Sequence, residues 1–562
     1  MKAYPDIDGL ILWFRIQRTV VMGVQLDELP PAWRKEYEAA VHEKPDLAKY
    51  WRSVGLFVIS KIVRAYQRAL GELGNKEVEV AIGTWGFDLL PAADHFMPAG
   101  VRFFPLDLGV LGGKSWFDVP EKQARIARYA ADRNVVPIAW AQHDDGEYVG
   151  PPYVPYKIFY DRLKQMSCAR SGFGIIHWTT RPLDIYFKNL ARQTWQSTRN
   201  ESIEKTCRQM SIDMFGPAVV DEMTEYLLDW LQNQRRIGRD TTDFFIDHEL
   251  SGVELVREGF KRRMQMLDAI NQHKLSTQSR KSLGYFKWME KFILALHEND
   301  LCYNRTRSLL QAGDYSGARK TFLKADPEGA LRCYATAAAL PGVTRGEQGL
   351  VVSLNTRWLA HYTRLAQELG MKSIRYNFAS TSHDPLAQVR GVFTYHLDPQ
   401  RRSWFVLGHE ETGQQAYGDL AGRIGTPFPK GAPSQWGICQ SGIESDTAFS
   451  FEMRPIMLRD NRDKFYKKPP VIAPGDYRLV LWFGGPGDLK TGARQFDVIV
   501  KVSDASEAMI RRIDLSKTTA KAFNMGQETF AIKLRQPGYV SVTLKPIKGK
   551  ARICGAELHP AR

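Results

Sequence analysis

The sequence predicts a multidomain chain of α/β, then α, then β character: the C-terminal portion of a TIM-type (β/α) barrel, a helical domain and a C-terminal β-sandwich. Three observations carry this reading. Between residues 5 and 195, short apolar runs of strand length alternate with longer amphipathic stretches, the rhythm of parallel β/α units. From about Glu201 to Leu369 the apolar residues recur at helical spacing instead. Beyond Ser373 they alternate along short runs separated by Gly, Pro and Asp turns, as in a sandwich. The expected domains are 1–195, 196–372 and 373–562.

Each element follows from its own residues. Ile7-Asp-Gly-Leu-Ile-Leu-Trp-Phe14 is the first strand, and the stretch from about Asp46 to Leu73 is its crossover helix. Glu77-Val-Glu-Val-Ala-Ile82, leading to Gly83-Thr-Trp85, and Val101-Arg-Phe-Phe-Pro-Leu-Asp107 are the next two strands. A helix between Val119 and Arg133, with Ile126, Ala127 and Ala130 on one face, precedes the strand Asn134-Val-Val-Pro-Ile-Ala139. Gly172-Phe-Gly-Ile-Ile-His-Trp178 is the last. These strands should be parallel neighbours in chain order, with their C-terminal ends on one rim. They fall short of a closed ring by roughly three βα units, so a truncated reading frame, a split gene or a partner chain is expected to supply the rest. The outer side of the first strand should be an unpaired apolar edge.

The helical part opens with Ile203, Cys207, Met210, Met214 and Phe215 on one helix, broken at Phe215-Gly-Pro217. Helices are expected over Val219–Gln232, Leu255–Leu267, Tyr285–His297, Tyr303–Leu310 and Leu354–Leu369. Gln311-Ala-Gly-Asp-Tyr-Ser-Gly-Ala318 resembles a tetratricopeptide turn, but it occurs once and reads as an isolated helical hairpin. In the sandwich the clear strands are 390–395, 404–407, 477–483, 496–502 and 539–544, with Leu479, Leu481, Phe496, Val498 and Val540 facing inward.

With 562 residues and 44% hydrophobic content, the chain can bury several cores. No run of ~20 apolar residues suggests a membrane span. Met1-Lys-Ala-Tyr-Pro-Asp-Ile-Asp8 is not a signal peptide, so the chain as written is not exported; an upstream segment would place it in the periplasm or outside the cell. The six cysteines form no C-x-x-C pair, so neither a zinc site nor a redox motif is expected. No strand leads into G-x-G-x-x-G, and neither a phosphate-binding loop nor a G-x-S-x-G elbow occurs. The formal charge of +15 would suit a nucleic acid or a polyanionic sugar polymer. The basic residues are dispersed, and the densest cluster, Lys261-Arg262-Arg263, reads as a solvated helical face.

The densest polar cluster follows the fourth strand: Trp140-Ala-Gln-His-Asp-Asp-Gly-Glu-Tyr148. It brings His143, Asp144, Asp145 and Glu147 to the place where barrel chemistry sits. Trp85, Asp107, His177, Trp178 and Arg181 end or follow neighbouring strands.

The order of barrel, helices and sandwich resembles large carbohydrate-active enzymes of the α-glucuronidase-like glycoside hydrolases. For the barrel the resemblance covers about residues 4–195 and rests on Tyr4-Pro-Asp-Ile-Asp-Gly9, Trp140 to Tyr153, and His177-Trp-Thr-Thr-Arg-Pro-Leu-Asp184. Separately, Pro474-Gly-Asp-Tyr-Arg-Leu-Val-Leu-Trp-Phe483, Gly492-Ala-Arg-Gln-Phe-Asp-Val498 and Ile513-Asp514 resemble the malectin-like fold, whose members bind carbohydrate or serve as structural appendages. The resemblance implies an oligosaccharide or polysaccharide partner of acidic plant or algal type, and neither cofactor, metal, nucleic acid nor membrane. One departure stands out. Such α-glucuronidases place a general-acid glutamate near the end of the strand that Ile7–Phe14 matches, whereas here Trp13-Phe-Arg-Ile-Gln17 follows, with no carboxylate before Asp27.

Glycoside hydrolysis needs a carboxylic acid for the leaving oxygen and a second carboxylate as base or nucleophile. Asp145 and Glu147, with Asp144, are the catalytic candidates, since two close carboxylates push one pKa upward. Asp144 or Asp145 equally suits an Asx turn or a sugar hydroxyl. Trp85 and Trp178 suit the apolar face of a pyranose or a packed barrel layer, while His143, His177 and Asp107 suit its hydroxyls. Arg181 suits a uronate carboxylate, or an ion pair with Asp184 or Asp107. A non-catalytic carbohydrate-binding protein with a degenerate barrel is the alternative function.

Overall fold

The computed structural model describes residues 8–14, 24–50, 53–74, 78–85, 90–107, 201–233, 250–340, 354–378, 442–455, 469–484, 490–519 and 524–561, with 121, 124, 127–128, 135–136, 138–140, 174–176, 188–189, 191–192, 351, 405–406, 415–417 and 439. Its two compact units comprise residues 1–240, 261–285 and 340–347, and residues 241–260, 286–339 and 348–562.

In the first unit, β1 (Gly9–Phe14), β2 (Glu79–Trp85), β3 (Arg102–Asp107), β4 (Ile138–Trp140) and β5 (Gly174–Ile176) form one parallel sheet in chain order. The apolar runs predict this order. Among the described residues the sheet has two edges, β1 and β5. Consecutive Val80, Ala81 and Ile82 are all buried, which requires cover on both faces and explains why the strand reads as an unbroken apolar run. At the edge, Ile11 and Trp13 stay 52% and 38% exposed. Gly83 pairs with Trp13 across β1 and β2, and a Cβ there would lie 1.8 Å from the indole ring. Glycine is therefore what lets that ring cross onto the neighbouring strand.

The chain between β1 and β2 forms α1 (Pro31–Glu43) and α2 (Ser53–Glu72). Leu56, Ile59, Val63 and Leu70 are the buried stripe of α2, at the spacing of one helical face. Tyr37 of α1, Phe57 of α2 and Phe96 of α3 (Leu90–Phe96) meet with ring centroids 5.6 to 5.9 Å apart. The helix α4 (Ile203–Phe215) starts on Ser202, whose hydroxyl accepts from Lys205 N, and stops at Gly216 with φ 85° before Pro217. This is the break that Phe215-Gly-Pro217 predicts; α5 (Val220–Asn233) follows. The basic cluster lies on α6 (Leu250–Ala269), where Arg262 forks onto Asp229 at 2.9 and 3.1 Å and Arg263 stands 3.5 Å from the same carboxylate.

One helix departs from expectation. Tyr285–His297 and Tyr303–Leu310 are parts of a single helix, α7 (Thr277–Gln311). The intervening Glu298-Asn-Asp-Leu-Cys302 reads as a polar break, yet Asn299 and Asp300 are buried and bonded. Asn299 Nδ2 donates to Ala295 O and Asp326 O, while Asp300 Oδ1 accepts from Trp358 Nε1 at 3.1 Å and from the Tyr362 hydroxyl at 2.5 Å. Tyr362 belongs to α10 (Leu359–Glu368). Between them, α8 (Tyr315–Phe322) and α9 (Pro327–Ala338) each open on Asp-x-x-Gly, with Asp314 and Asp326 accepting from Gly317 N and Gly329 N at 2.8 Å. These side chains satisfy amides that a helix start leaves without partners. At both glycines a Cβ would collide with the capping carboxylate, at 2.1 and 1.9 Å.

Three sheets make up most of the rest of the second unit among the described residues. The strands β10 (Phe449–Met453), β15 (Val540–Lys548), β12 (Gln495–Val502) and β13 (Ala508–Asp514) form an antiparallel sheet in that spatial order. A second sheet runs β14 (Met525–Leu534), β11 (Gly475–Gly484), β17 (Gly555–Pro560), β6 (Ile374–Asn377), β7 (Phe405–Val406), and only β6 and β7 pair in parallel. A third, small sheet joins β16 (Ala551–Ile553), β9 (Gly442–Ser445) and β8 (Gln415–Tyr417). Side chains of the two large sheets share one buried cluster that includes Leu479, Leu481, Phe496, Val498 and Val540, the residues that period-two alternation assigns inward. The expected strand at 390–395 lies outside the described residues.

Candidate functional site

The parallel order of the first sheet decides which strand ends can cooperate. Trp85 is the last residue of β2 and pairs with Leu106; Asp107 is the last of β3 and pairs with Ala139; Trp140 is the last of β4 and pairs with Ile176. All these C-terminal ends lie on one edge of the sheet, the edge at which β/α proteins place ligands. Asp107 thus stands one strand from the point where the chain leaves Trp140 toward His143, Asp144, Asp145 and Glu147. It stands two strands from the exit toward His177, Trp178 and Arg181. The backbones of Trp85 and Asp107 are the described part of the expected site; His143, Asp144, Asp145, Glu147, His177, Trp178 and Arg181 lie outside the described residues, as does most of the helix expected over 119–133.

Carboxylates of the second unit serve other purposes. A general acid needs a raised pKa and access to its substrate. Burial would raise Glu444, but hydrogen bonds from Arg494 and Arg552 outweigh it and hold the carboxyl at about 2. Burial likewise works against ionised Glu557, yet it stays lowered by His559, by the Trp482 indole N–H and by Arg375. Asp300 is raised well above the usual range by burial, against hydrogen bonds from Tyr362 and Trp358, but it is fully enclosed and out of reach of a polymer. These three are structural. No group of His, Cys, Asp and Glu among the described residues is arranged to hold a metal ion.

A feature absent from the sequence reading is a groove of about 840 Å³ in the second unit, lined by residues of α7 and α9 and by Arg257 and Lys324. It is rich in cations. Arg257 forks onto Glu298 at 2.5 and 2.8 Å, and Arg332 stands 3.6 Å from Asp326. The signal in the sequence was faint, because Arg257, Arg305, Lys324 and Arg332 are spread over some 75 residues and only the fold gathers them.

No protein-family model and no curated protein sequence matches the chain. Among solved structures it is similar to a family GH115 4-O-methyl-α-glucuronidase, BtGH115A, with specificity for decorated arabinogalactans, at TM-score 0.37 and 9% identity. That match covers 89% of this chain and 61% of the other, so this chain spans about three fifths of the enzyme's length. It is also similar to Bacteroides uniformis β-glucuronidase 2 covalently bound to cyclophellitol-6-carboxylate aziridine, at TM-score 0.21 and 10% identity over 34% of this chain and 18% of that one. A further structure, of a Bacteroides uniformis β-glucuronidase, gives TM-score 0.22 and 11% identity over the same shares. These neighbours are glycoside hydrolases, and TM-scores below 0.5 do not define a shared fold. No helix among the described residues is long and apolar enough to cross a membrane.

Proposed function

We propose that the chain is a glycoside hydrolase, or part of one, acting on acidic polysaccharides or their oligosaccharides in the α-glucuronidase-like manner. The observation that carries this is the strand order: β2 to β5 end side by side, and the candidate residues end or directly follow them. In this reading Asp145 and Glu147, with Asp144, supply the acid and the base or nucleophile. Trp85 and Trp178 support the sugar rings, His143, His177 and Asp107 meet hydroxyls, and Arg181 grips the uronate. A partial TIM-type barrel at 1–195, a helical domain at 196–372 and a malectin-like sandwich at 373–562 belong to the same proposal.

The test is turnover of aryl uronides and glucuronoxylan-type oligosaccharides. Asp145→Asn and Glu147→Gln should each lower kcat by about 10² to 10⁴ with the fold intact, the usual worth of general acid-base catalysis. Wild-type rates in both variants would place the catalytic pair elsewhere, with Asp107 the next candidate. One observation favours a second reading, a non-catalytic carbohydrate-binding protein: β1 ends at Phe14 and leads into Arg-Ile-Gln, with no carboxylate before Asp27. Glycan binding by a wild-type chain that turns over none of these substrates would establish that reading.

A further inference from the structure

The groove between α7 and α9 holds a charge imbalance that the fold leaves open. Four cations line it, against Glu298 and Asp326. Glu298 is committed to Arg257, and Asp326 caps α9 with one oxygen and faces Arg332 with the other. Arg305 and Lys324 remain, both exposed, and neither makes an ion pair or a side-chain hydrogen bond among the described residues. They converge. Burial and Glu298 push the Cys302 thiol up, while Arg305, Lys324 and Arg257 pull against them, so three positive charges lie within electrostatic reach of one sulfur in the groove. Two uncommitted cations lining one groove favour an anion with more than one oxygen.

The groove also carries an apolar surface. Trp288 lines it, half-buried, and Lys291, which does not line it, stands over that ring at 4.5 Å from the centroid. Trp288 and Arg305 are 17 residues apart on α7, about 25 Å at 1.5 Å of rise per residue, so the groove suits an extended ligand with an apolar C–H face at the indole and a carboxylate at the cation pair, and its volume falls in the range of small-ligand sites.

We propose that this groove is a second glycan site, binding a uronate-bearing oligosaccharide of several units along its length, one unit's carboxylate resting on Arg305 and Lys324 and the pyranose ring of another lying against Trp288. The choice of a sugar as carrier of the anion rests on the glycoside hydrolase reading; the anion site itself rests on the groove. Sugar carboxylate and free phosphate share this chemistry, so both are probes.

The experiment is calorimetric titration of the full chain with oligogalacturonate, glucuronoxylo-oligosaccharide, neutral xylo-oligosaccharide and inorganic phosphate. The acidic oligosaccharides should bind more tightly than either other probe. The double variant Arg305→Ala/Lys324→Ala should weaken them about tenfold or more, and Trp288→Ala should weaken the oligosaccharides while sparing phosphate. Unchanged affinity in the double variant, or equal binding of neutral sugar, would overturn the site. Phosphate binding as tight as the oligosaccharides, or an unaffected Trp288→Ala, would overturn the sugar. Aryl uronide turnover keeps the two proposals apart: the double variant should keep the wild-type rate, and loss of that rate would overturn a site separate from catalysis. A chain without any turnover removes the hydrolase reading and leaves the binding result standing.

Discussion

Glu444 shows how much a single side chain can do that its neighbours in sequence do not announce. It accepts from Arg494 Nη1 at 2.8 Å and from Arg552 Nε and Nη2 at 3.1 and 2.6 Å, with Lys550 Nζ at 3.4 Å. Its folded pKa of about 2 lies below the ordinary value of 4.5. The carboxylate therefore contributes its full stability above about pH 4.5 and loses it as the pH falls toward 2. Glu444→Gln should cost about 3 kcal/mol at neutral pH, the low end for breaking a buried pair. It should also flatten the fall of Tm with pH between 4.5 and 2, and parallel profiles for variant and wild type would rule this linkage out. The partners are 50 and 108 residues away, so no motif search finds them. Trp85 and Asp107 were legible for the opposite reason: each closes an apolar run of its own.

Elements were legible where one periodicity ran without competition. The five parallel strands are compact apolar runs, and β12 and the first half of β15 alternate cleanly because one face meets the core. Strands such as β9 and β16, buried at every position, offer no alternation, and α7 was divided because its buried polar residues imitate a break. The edge strand β1 carries its own prediction. Ile11 and Trp13 are two residues apart, so they share one face, and both are exposed on a strand with one neighbour among the described residues. Such an edge templates pairing between chains. Ile11→Lys should reduce self-association, read by light scattering at matched concentration, and leave the circular dichroism unchanged. Undiminished scattering would show that the edge is covered.

For the molecule entire, net charge acts before any site does. A formal +15 steers polyanions over a distance set by screening, about 30 Å at 0.01 M salt and about 8 Å at 0.15 M. The association rate with polyuronate should fall about tenfold or more across that range, whereas that of a neutral xylan should hardly move. A salt-independent polyuronate rate in stopped flow would mean that local contacts alone select the ligand. Composition made this behaviour legible but not the place where the charge gathers, since the groove cations come together only through helix packing. The pairing of β1 with β2 has a further consequence, measured in time. Trp13 finds its partner Gly83 seventy residues later in the chain, which at about 5 to 20 residues per second of synthesis leaves the first strand waiting about 4 to 14 seconds on the ribosome. Throughout that interval its apolar side chains are available to a chaperone or to a neighbouring nascent chain, so the yield of folded protein should respond to translation speed over residues 15–85.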